Sequence, residues 1–259
     1  GPVQEGEEEE EDKEEEGEDQ DEEIIMAAPV TSMEPTIPVG LLIPGQGAQY
    51  ITMMSSVQDL PAVKAMFEKA KAILGWDVLD LCLTGPESKL DDTKFCQPVM
   101  FIAGLAAMEK LRQDRKEAAE RFQAIAGLGV GEYTALCAAG VFSFEDGLKL
   151  VDILGKAKQD AANSRKQAML SVAGLDKPKL EELCEKAREK EGRSAVCQIS
   201  KELFPLGFCC AGTENAIHFL KHMCEKAGAL QANIMKGWGA FHTSLMVPAK
   251  EKVGKALDE

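Results

Sequence analysis

A glycine-rich turn at residues 127–131 has the pattern of a turn that exposes a catalytic nucleophile. The turn, G-L-G-V-G, follows the apolar run 122–126 and precedes a predicted helix from about Glu132 to Ala139. A strand, a tight turn and a helix in this order form the nucleophile elbow G-x-S-x-G, which exposes its central side chain at a helix N-terminus. The next backbone N–H and the helix dipole can stabilise an oxyanion there. The central residue here is Gly129, which supplies no nucleophile.

Four motifs along the chain resemble those of one enzyme family. They are P-G-Q-G-A-Q at 44–49, C-Q-P at 96–98, G-L-G-V-G-E-Y-T-A-L at 127–136 and A-F-H-T-S-L-M at 240–246. In this order and spacing they resemble the malonyl-CoA:acyl carrier protein transacylases and the acyltransferase domains of polyketide synthases. The resemblance runs from about residue 39 to residue 259.

The resemblance implies a ping-pong acyl transfer, in which a serine takes malonyl from CoA and passes it to a carrier thiol while a histidine acts as base and acid. His242 falls on the position of that histidine. Gln46 and Val130 fall on the positions whose backbone N–H groups form the oxyanion hole, and Gln97 and Leu128 fall on substrate-binding positions.

Two positions with a chemical role depart from the family pattern. Gly129 replaces the serine, and Leu154 replaces the arginine that the family uses to pair with the malonate carboxylate in L-V-x-x-R-G-x-x-M-Q. Loss of the nucleophile alone costs on the order of 10⁶ in turnover in a triad enzyme. The family also continues for some tens of residues beyond this C-terminus, and we expect that segment, which orients the histidine, to be missing. The sequence therefore predicts that efficient acyl transfer is lost and that the protein acts as a binding or structural subunit.

The alternative is an active acyl carrier protein S-malonyltransferase of type II fatty acid synthesis that uses another nucleophile, a partner chain or a missing C-terminal segment. Cys137 lies two helical turns past Gly129, about 12 Å along the axis, which is too far for it to replace the serine directly. Lys156 or Lys158 could replace the arginine, although both are expected to be solvated at the surface. The implied partners are an acyl carrier protein, CoA or a larger multi-subunit assembly.

Periodicity and the resemblance together predict an α/β fold with a transacylase-like, α/β-hydrolase-type core. The core is assigned to residues 39–164 and 236–259, with the C-terminal part of the family fold absent. Residues 165–235 show the order strand, helix, strand, strand, helix, strand, which predicts a ferredoxin-like insert. The predicted strands are 39–43, 122–126, 167–173, 195–200, 206–211 and 229–234, and the predicted helices 61–74, 96–112, 132–139, 144–162, 177–189, 213–227 and one from about 244.

The charge of −15 is concentrated at the N-terminus, because residues 1–23 carry a net −14. Residues 1–38 are therefore predicted to be an acidic disordered tail with a proline-containing linker, and an interaction with a basic partner is the alternative. The nearly neutral remainder has no basic stripe, which excludes nucleic acid as a main partner. No apolar run reaches the ~20 residues of a membrane span, and no signal-peptide pattern opens the chain. The resemblance implies an intracellular location in mitochondria, plastids or bacterial cytoplasm.

Neither a metal nor a cofactor is predicted. His218, His222 and Cys224 lie close together on one predicted helix, but no second cluster completes a zinc site. The G-x-G-x-G turn lacks the spacing of a dinucleotide-binding loop. The eight cysteines, among them the adjacent pair Cys209 and Cys210, are expected to be reduced and buried.

Overall fold

The computed structural model describes residues 39–235 and 239–258, which contain six strands, ten α-helices and one short 3-10 helix at Ser244–Met246. The strands are β1 Val39–Ile43, β2 Phe122–Gly127, β3 Gln167–Ala173, β4 Cys197–Phe204, β5 Gly207–Thr213 and β6 Gln231–Met235. The helices are α1 Pro61–Leu74, α2 Val78–Thr84, α3 Glu87–Asp91, α4 Thr93–Asp114, α5 Lys116–Glu120, α6 Val130–Ala138, α7 Phe144–Asn163, α8 Lys177–Glu191, α9 Glu214–Lys226 and α10 Val247–Asp258. The predicted acidic tail and linker at 1–38 lie outside the described residues.

The first strand pair brings two loops together. Strands β1 and β2 run parallel, and Ile43 is opposite Gly127 at their carboxyl ends. The next residue, Leu128, donates its backbone N–H to the carbonyl oxygen of Ile43 at 3.0 Å. Because carboxyl ends of parallel strands lie at one edge of a sheet, the loop after β1 and the elbow after β2 are neighbours.

Helix α4 supports both loops from the interior. Eleven of its residues are buried, which explains its weak amphipathic pattern. It begins at Thr93, three residues before the predicted start, because the Asp92 side chain caps it by accepting from the Lys94 N–H at 2.9 Å. Phe101 and Ile102 on α4 and Leu148 on α7 are fully buried in the same apolar cluster.

The second sheet is antiparallel with strand order β4-β5-β3-β6. Its chain order of strand, helix, strand, strand, helix, strand is the one predicted for the insert. Helices α8 and α9 cover one face around a buried cluster that includes Leu170, Leu180 and Ile217. The mixed α/β class is thereby confirmed, whereas the exact domain boundaries at 164/165 and 235/236 stay predictions.

The largest boundary error falls in the hairpin of the insert. Strand β4 extends four residues beyond its predicted end, and the turn contains Leu206 with a φ of 63°. Pairing with β5 shifts register between Ile199 and Lys201 and again between Glu202 and Phe204. Such irregularities interrupt the alternation on which a strand prediction depends. The helices α2, α3 and α5 were not predicted, since they have only five to seven residues and show no complete apolar period.

A third apolar cluster joins α7 to the open face of the antiparallel sheet. Ala157 and Ala161 of α7 pack there with Met169 of β3, and Cys209 contributes from β5. The neighbouring Cys210 belongs to the cluster on the opposite face, as the alternation of a strand requires. Residues 240–249 of the returning chain complete this cluster, so the predicted histidine segment lies between α7 and the insert.

Glycines allow the two loops of the first sheet to touch. A Cβ atom on Gly45 would lie 2.1 Å from the Leu128 carbonyl oxygen, and one on Gly127 would lie 2.0 Å from the Gly131 carbonyl carbon. A Cβ on Gly131 would meet the Ile43 carbonyl oxygen at 2.5 Å. Since real Cβ contacts are never this short and backbone cannot rotate away, only glycine fits at these three positions.

Substitution of Gly127 by alanine should therefore disrupt the fold. We expect Gly127→Ala to lower the free energy of unfolding by about 3 kcal/mol, the upper range for overpacking. The matched control is Gly40→Ala in β1, where a Cβ meets no atom within 4 Å. Urea denaturation of the two variants measures the difference, and equal midpoints would contradict the close approach.

Among the described residues, no helix has the length and apolar composition to cross a membrane.

Candidate functional site

A cavity of about 620 Å³ lies where the two loops meet α7, β4 and the chain from 241 to 257. All seven residues predicted for the site line it, although they come from five separate segments of sequence. They are Gln46, Gln97, Leu128, Gly129, Val130, Leu154 and His242. The structure thus brings the predicted residues together, while their individual chemical roles stay predictions.

The elbow keeps the backbone of a nucleophile turn without the nucleophile. Gly129 has φ 60° and ψ −119°, a conformation that side chains rarely adopt and that such elbows use to expose their central residue. A Cβ atom on Gly129 would meet nothing within 4 Å. The turn therefore points an unoccupied side-chain position toward open space at the N-terminus of α6.

Two backbone donors next to this position have no acceptor within the described part of the chain. The Val130 N–H begins α6, where helix geometry leaves the first N–H groups without an internal partner. The Gln46 N–H is likewise without a protein acceptor in residues 39–235 and 239–258. These are the two groups that the resemblance assigns to an oxyanion hole, and both border the cavity.

Side-chain amides hold the loop after β1 in place. The Gln97 Nε2 donates to the Gln46 Oε1 at 2.7 Å, and the Gln46 Nε2 donates to the Thr93 hydroxyl at 3.1 Å. The Thr93 backbone N–H donates to the Gln159 Oε1 of α7 at 3.1 Å. Gln97 is fully buried, and its Oε1 has no hydrogen-bond partner within the described residues. Sequence reasoning missed Thr93, which gives no sign of this role because its hydroxyl acts only through Gln46.

His242 is presented from a strained backbone. Its φ is 62°, which is uncommon for a residue other than glycine. The segment is fixed by the Ala240 N–H, which donates to the Gln167 Oε1 at 2.8 Å, and by the Thr243 hydroxyl, which donates to the Ala240 carbonyl oxygen at 2.6 Å. No described residue hydrogen-bonds the imidazole. Partial burial lowers its pKa from the ordinary 6.5, and Lys201 and Lys158 lower it further.

The two lysines after Leu154 differ in what surrounds them. Lys156 is exposed and pairs with Asp152, as predicted for a solvated side chain. Lys158 lines the cavity one turn beyond Leu154, so its assignment to the surface was wrong. Residues four apart share a helix face, and the position of Leu154 in the cavity therefore carries Lys158 with it.

Lys158 is a cation in an apolar setting. Its Nζ lies 4.1 Å from the centroid of the Phe241 ring. Burial lowers the pKa of Lys158 from 10.5 to about 8, and repulsion from Lys201 adds to the shift. Lys201, on β4, also lines the cavity. Lys201 could not be predicted from the sequence, because its place depends on how the insert packs against the core.

Other candidate groups lie elsewhere. Cys137 is partly buried on α6 and does not line the cavity, and burial raises the pKa of its thiol. His218 and His222 are exposed on α9, whereas Cys224 faces the core of the insert. Residues 39–235 and 239–258 contain no group of three or more side chains placed to bind a metal ion. All eight cysteines are free, and all except Cys137 are buried.

Comparison with known proteins decides the family. The family described as "Acyl transferase domain" matches residues 41–259. The chain belongs to the acyl transferase domain family. The transacylase-like core predicted from the four motifs is thereby confirmed, and the seven cavity residues lie within the matched region.

Relatives and solved structures agree with this assignment. The chain is 38% identical over 221 residues to the mitochondrial malonyl-CoA-acyl carrier protein transacylase of Homo sapiens, a match that covers 84% of this chain and 57% of that protein. It is 33% identical over 217 residues to the Escherichia coli K12 malonyl CoA-acyl carrier protein transacylase, covering 83% and 68%. The structure of the malonyl CoA-acyl carrier protein transacylase from Coxiella burnetii matches with a TM-score of 0.78 and 28% identity, covering 86% of this chain and 68% of that one. The chain thus spans less than two thirds of the human relative's length.

Removal of the Lys158 charge should stabilise the acyl transferase domain. A lysine with a lower pKa in the folded than in the unfolded chain destabilises the fold below the folded pKa, here about 8, and the cost vanishes as pH approaches 10.5. The full shift corresponds to at most about 3 kcal/mol. Partial exposure and the lost contact with the Phe241 ring reduce the expected gain for Lys158→Met to about 1 kcal/mol at pH 7.

Chemical denaturation at pH 7 and pH 10 measures this gain, with Lys156→Met as the matched control on the exposed face. We expect Lys156→Met to change the free energy of unfolding by less than about 0.5 kcal/mol. A Lys158→Met variant that is less stable than the wild type at pH 7 would contradict the prediction, because it would show that the lysine stabilises the fold.

The pKa of His242 should depend on the charges of Lys201 and Lys158. We expect its imidazole to titrate below 6.5, and we expect Lys201→Met to raise that midpoint, since the substitution removes the stronger of the two repulsive charges. NMR titration of the histidine ring signals measures both values. An unchanged midpoint in Lys201→Met would place the lysine too far from the imidazole to interact.

Proposed function

We propose that this acyl transferase domain binds an acyl thioester in its cavity without forming a covalent acyl-enzyme. The observation that carries the proposal is the glycine at position 129, in an elbow whose backbone otherwise has the geometry of a nucleophile turn. The reaction of a nucleophile elbow begins with attack by the central side chain, and Gly129 has none. The protein would act as a degenerate member of the malonyl-CoA:acyl carrier protein transacylase group.

The binding half of the site is retained. The unpaired N–H groups of Val130 and Gln46 can donate to a thioester carbonyl oxygen in the ground state as well as in a transition state. The network from Gln97 through Gln46 to Thr93 holds this loop at fixed distance from α4. Because these groups are already in place, a ligand would not have to order them, which favours binding.

The partner is proposed by analogy with the relatives. Their names specify malonyl-CoA and an acyl carrier protein, and a type II polyketide acyl carrier protein in complex with its malonyl-transacylase is among the similar structures, with a TM-score of 0.77. We therefore include an acyl carrier protein or CoA, alone or within a larger assembly, as the source of the thioester. An intracellular compartment, such as the mitochondrion named for the animal relatives, is part of the same proposal.

The alternative of an active S-malonyltransferase requires a nucleophile from another residue. No serine or cysteine of the described residues lines the cavity, and the Thr243 hydroxyl is engaged with the Ala240 carbonyl oxygen. An acyl group on Lys158 would form an amide, which does not pass readily to a thiol. Within the described residues, the geometry therefore favours binding over transfer.

Incubation with malonyl-CoA, followed by intact-mass analysis, separates the two functions. We expect the wild type to bind the thioester by calorimetry and to show no covalent adduct. Gly129→Ser should acquire an adduct, since a Cβ atom at this position meets no atom within 4 Å and the residue directly precedes Val130 at the start of α6. The positive φ should cost this variant about 1–3 kcal/mol of stability.

Gly129→Ala is the matched control, because it introduces the same backbone strain without the hydroxyl. It should lose the same stability and form no adduct. A labelled wild-type protein that transfers malonyl to a carrier thiol would contradict the proposal, and peptide mapping would then identify the nucleophile.

A further inference from the structure

An excess of positive charge in the cavity is not explained by the elbow. Three lysines line the cavity, Lys158, Lys201 and Lys250, and none forms an ion pair with any described residue. Most of the other lysines among the described residues form an ion pair with a carboxylate. The one carboxylate among the lining residues is Glu132, which is exposed on the first turn of α6 and pairs with none of the three.

Two of these lysines converge on one part of the cavity. Lys158 on α7 and Lys201 on β4 both line the cavity. The charge of Lys201 lowers the pKa of Lys158, and both lysines lower the pKa of His242. The Nζ of Lys158 lies over the Phe241 ring. Lys158 is partly buried, whereas Lys250 is exposed on α10.

Two like charges that share a partly desolvated site oppose each other and repel a protonated His242. The unfavourable free energy of the charged form shows in the pKa of Lys158, which is reduced to about 8. A bound anion would reverse it, because an opposite charge within about 4–6 Å favours the protonated lysine. Charge-assisted hydrogen bonds to a carboxylate in such a setting are about twice as strong as neutral ones.

We propose that Lys158, assisted by Lys201, binds the free carboxylate of a dicarboxylic acyl thioester. The inference rests on the proposed function, because it assumes that the thioester group itself lies at the N–H groups of Val130 and Gln46. Leu154 cannot hold an anion, and Lys158 presents its charge from the same face of α7 one turn, about 6 Å, further along. Lys158 is thus a specificity-determining residue for acyl groups that end in a carboxylate.

The position of Lys158 favours an acyl carboxylate over a phosphate. In a CoA thioester the pantetheine arm separates the phosphates from the acyl group, so the two ends occupy opposite ends of a binding cavity. Lys158 is partly buried and lines the same cavity as the predicted oxyanion-hole residues Gln46 and Val130, whereas Lys250 is exposed on α10. A phosphate-free thioester should therefore keep the preference.

The test uses the full chain and calorimetric titration with three phosphate-free probes, the malonyl, acetyl and butyryl thioesters of pantetheine. Butyryl is close to malonyl in length and carries no charge. We expect the wild type to bind the malonyl probe about 10-fold or more tightly than the butyryl probe, the range of one charge-assisted hydrogen bond. Lys158→Met should abolish this preference and leave butyryl binding within about 2-fold, since methionine has a similar unbranched shape.

Two further variants separate a binding role from a structural one. Lys158→Arg should retain most of the preference, because it restores a cation at the same place. Lys156→Met removes a lysine from the same helix on its exposed, Asp152-paired face, and it should leave the preference unchanged. Lys201→Met should reduce the preference without abolishing it.

Each other outcome overturns the inference in a distinguishable way. Equal binding of malonyl and butyryl probes by the wild type, or an unchanged preference in Lys158→Met, would overturn the role of Lys158 and leave the proposed function intact. A preference seen with CoA thioesters and lost with pantetheine thioesters would show that the lysines bind phosphate. Failure of all three probes to bind the wild type would overturn the proposed function together with the inference.

Discussion

The site depends on the contact between two backbone turns, residues 43–46 after β1 and residues 127–131 after β2. The parallel register sets the ends of the strands side by side, and the Leu128 N–H donates to the Ile43 carbonyl oxygen across the gap. Glycines at 45, 127 and 131 let the turns approach until a single added methyl group would collide with backbone. This contact places the N–H groups of Gln46 and Val130 at one edge of the cavity, and every other feature of the site is arranged around them.

A glycine at the centre of the elbow is compatible with this contact, because the residues that make the contact are Gly45, Gly127 and Gly131 and not Gly129. The central position of the elbow requires an unusual φ and ψ, which glycine adopts without strain. A change from another residue to glycine at this position therefore removes a reactive group and relieves strain at once. The remaining parts of the site, the amide network on Gln97 and the segment that presents His242, contribute to packing and are not affected by it.

Much of the site could be predicted from the sequence, because the motifs around residues 44–49, 96–98, 127–136 and 240–246 each fix a local backbone or a buried amide. That these four motifs lie at one cavity could be predicted from the family resemblance but not from the periodicity of the sequence. Helix α1 and strand β3 were predicted to the residue, since Pro61 and Gly75 bound the helix and β3 consists mostly of apolar residues. These are places where local preference and tertiary packing agree.

The predictions that failed concern features that depend on contacts between segments far apart in the sequence. The end of β4 was missed because two register shifts interrupt its alternation. Lys158 was assigned to solvent because the helical pattern of α7 shows which residues share a face but not which segments cover that face. The cover includes Phe241 and the chain that follows it into α10, which are about 80 or more residues away in sequence. A charged residue on a face that also carries Leu154 was the one available indication of a buried cation.

A crystal structure of the full chain grown with a malonyl thioester would test the account most directly. We expect an intact thioester in the cavity, with its carbonyl oxygen at the N–H groups of Gln46 and Val130, its carboxylate at Lys158 and no covalent bond to the protein. An acyl group bonded to any side chain, or a thioester bound outside the cavity lined by Gly129, would contradict it.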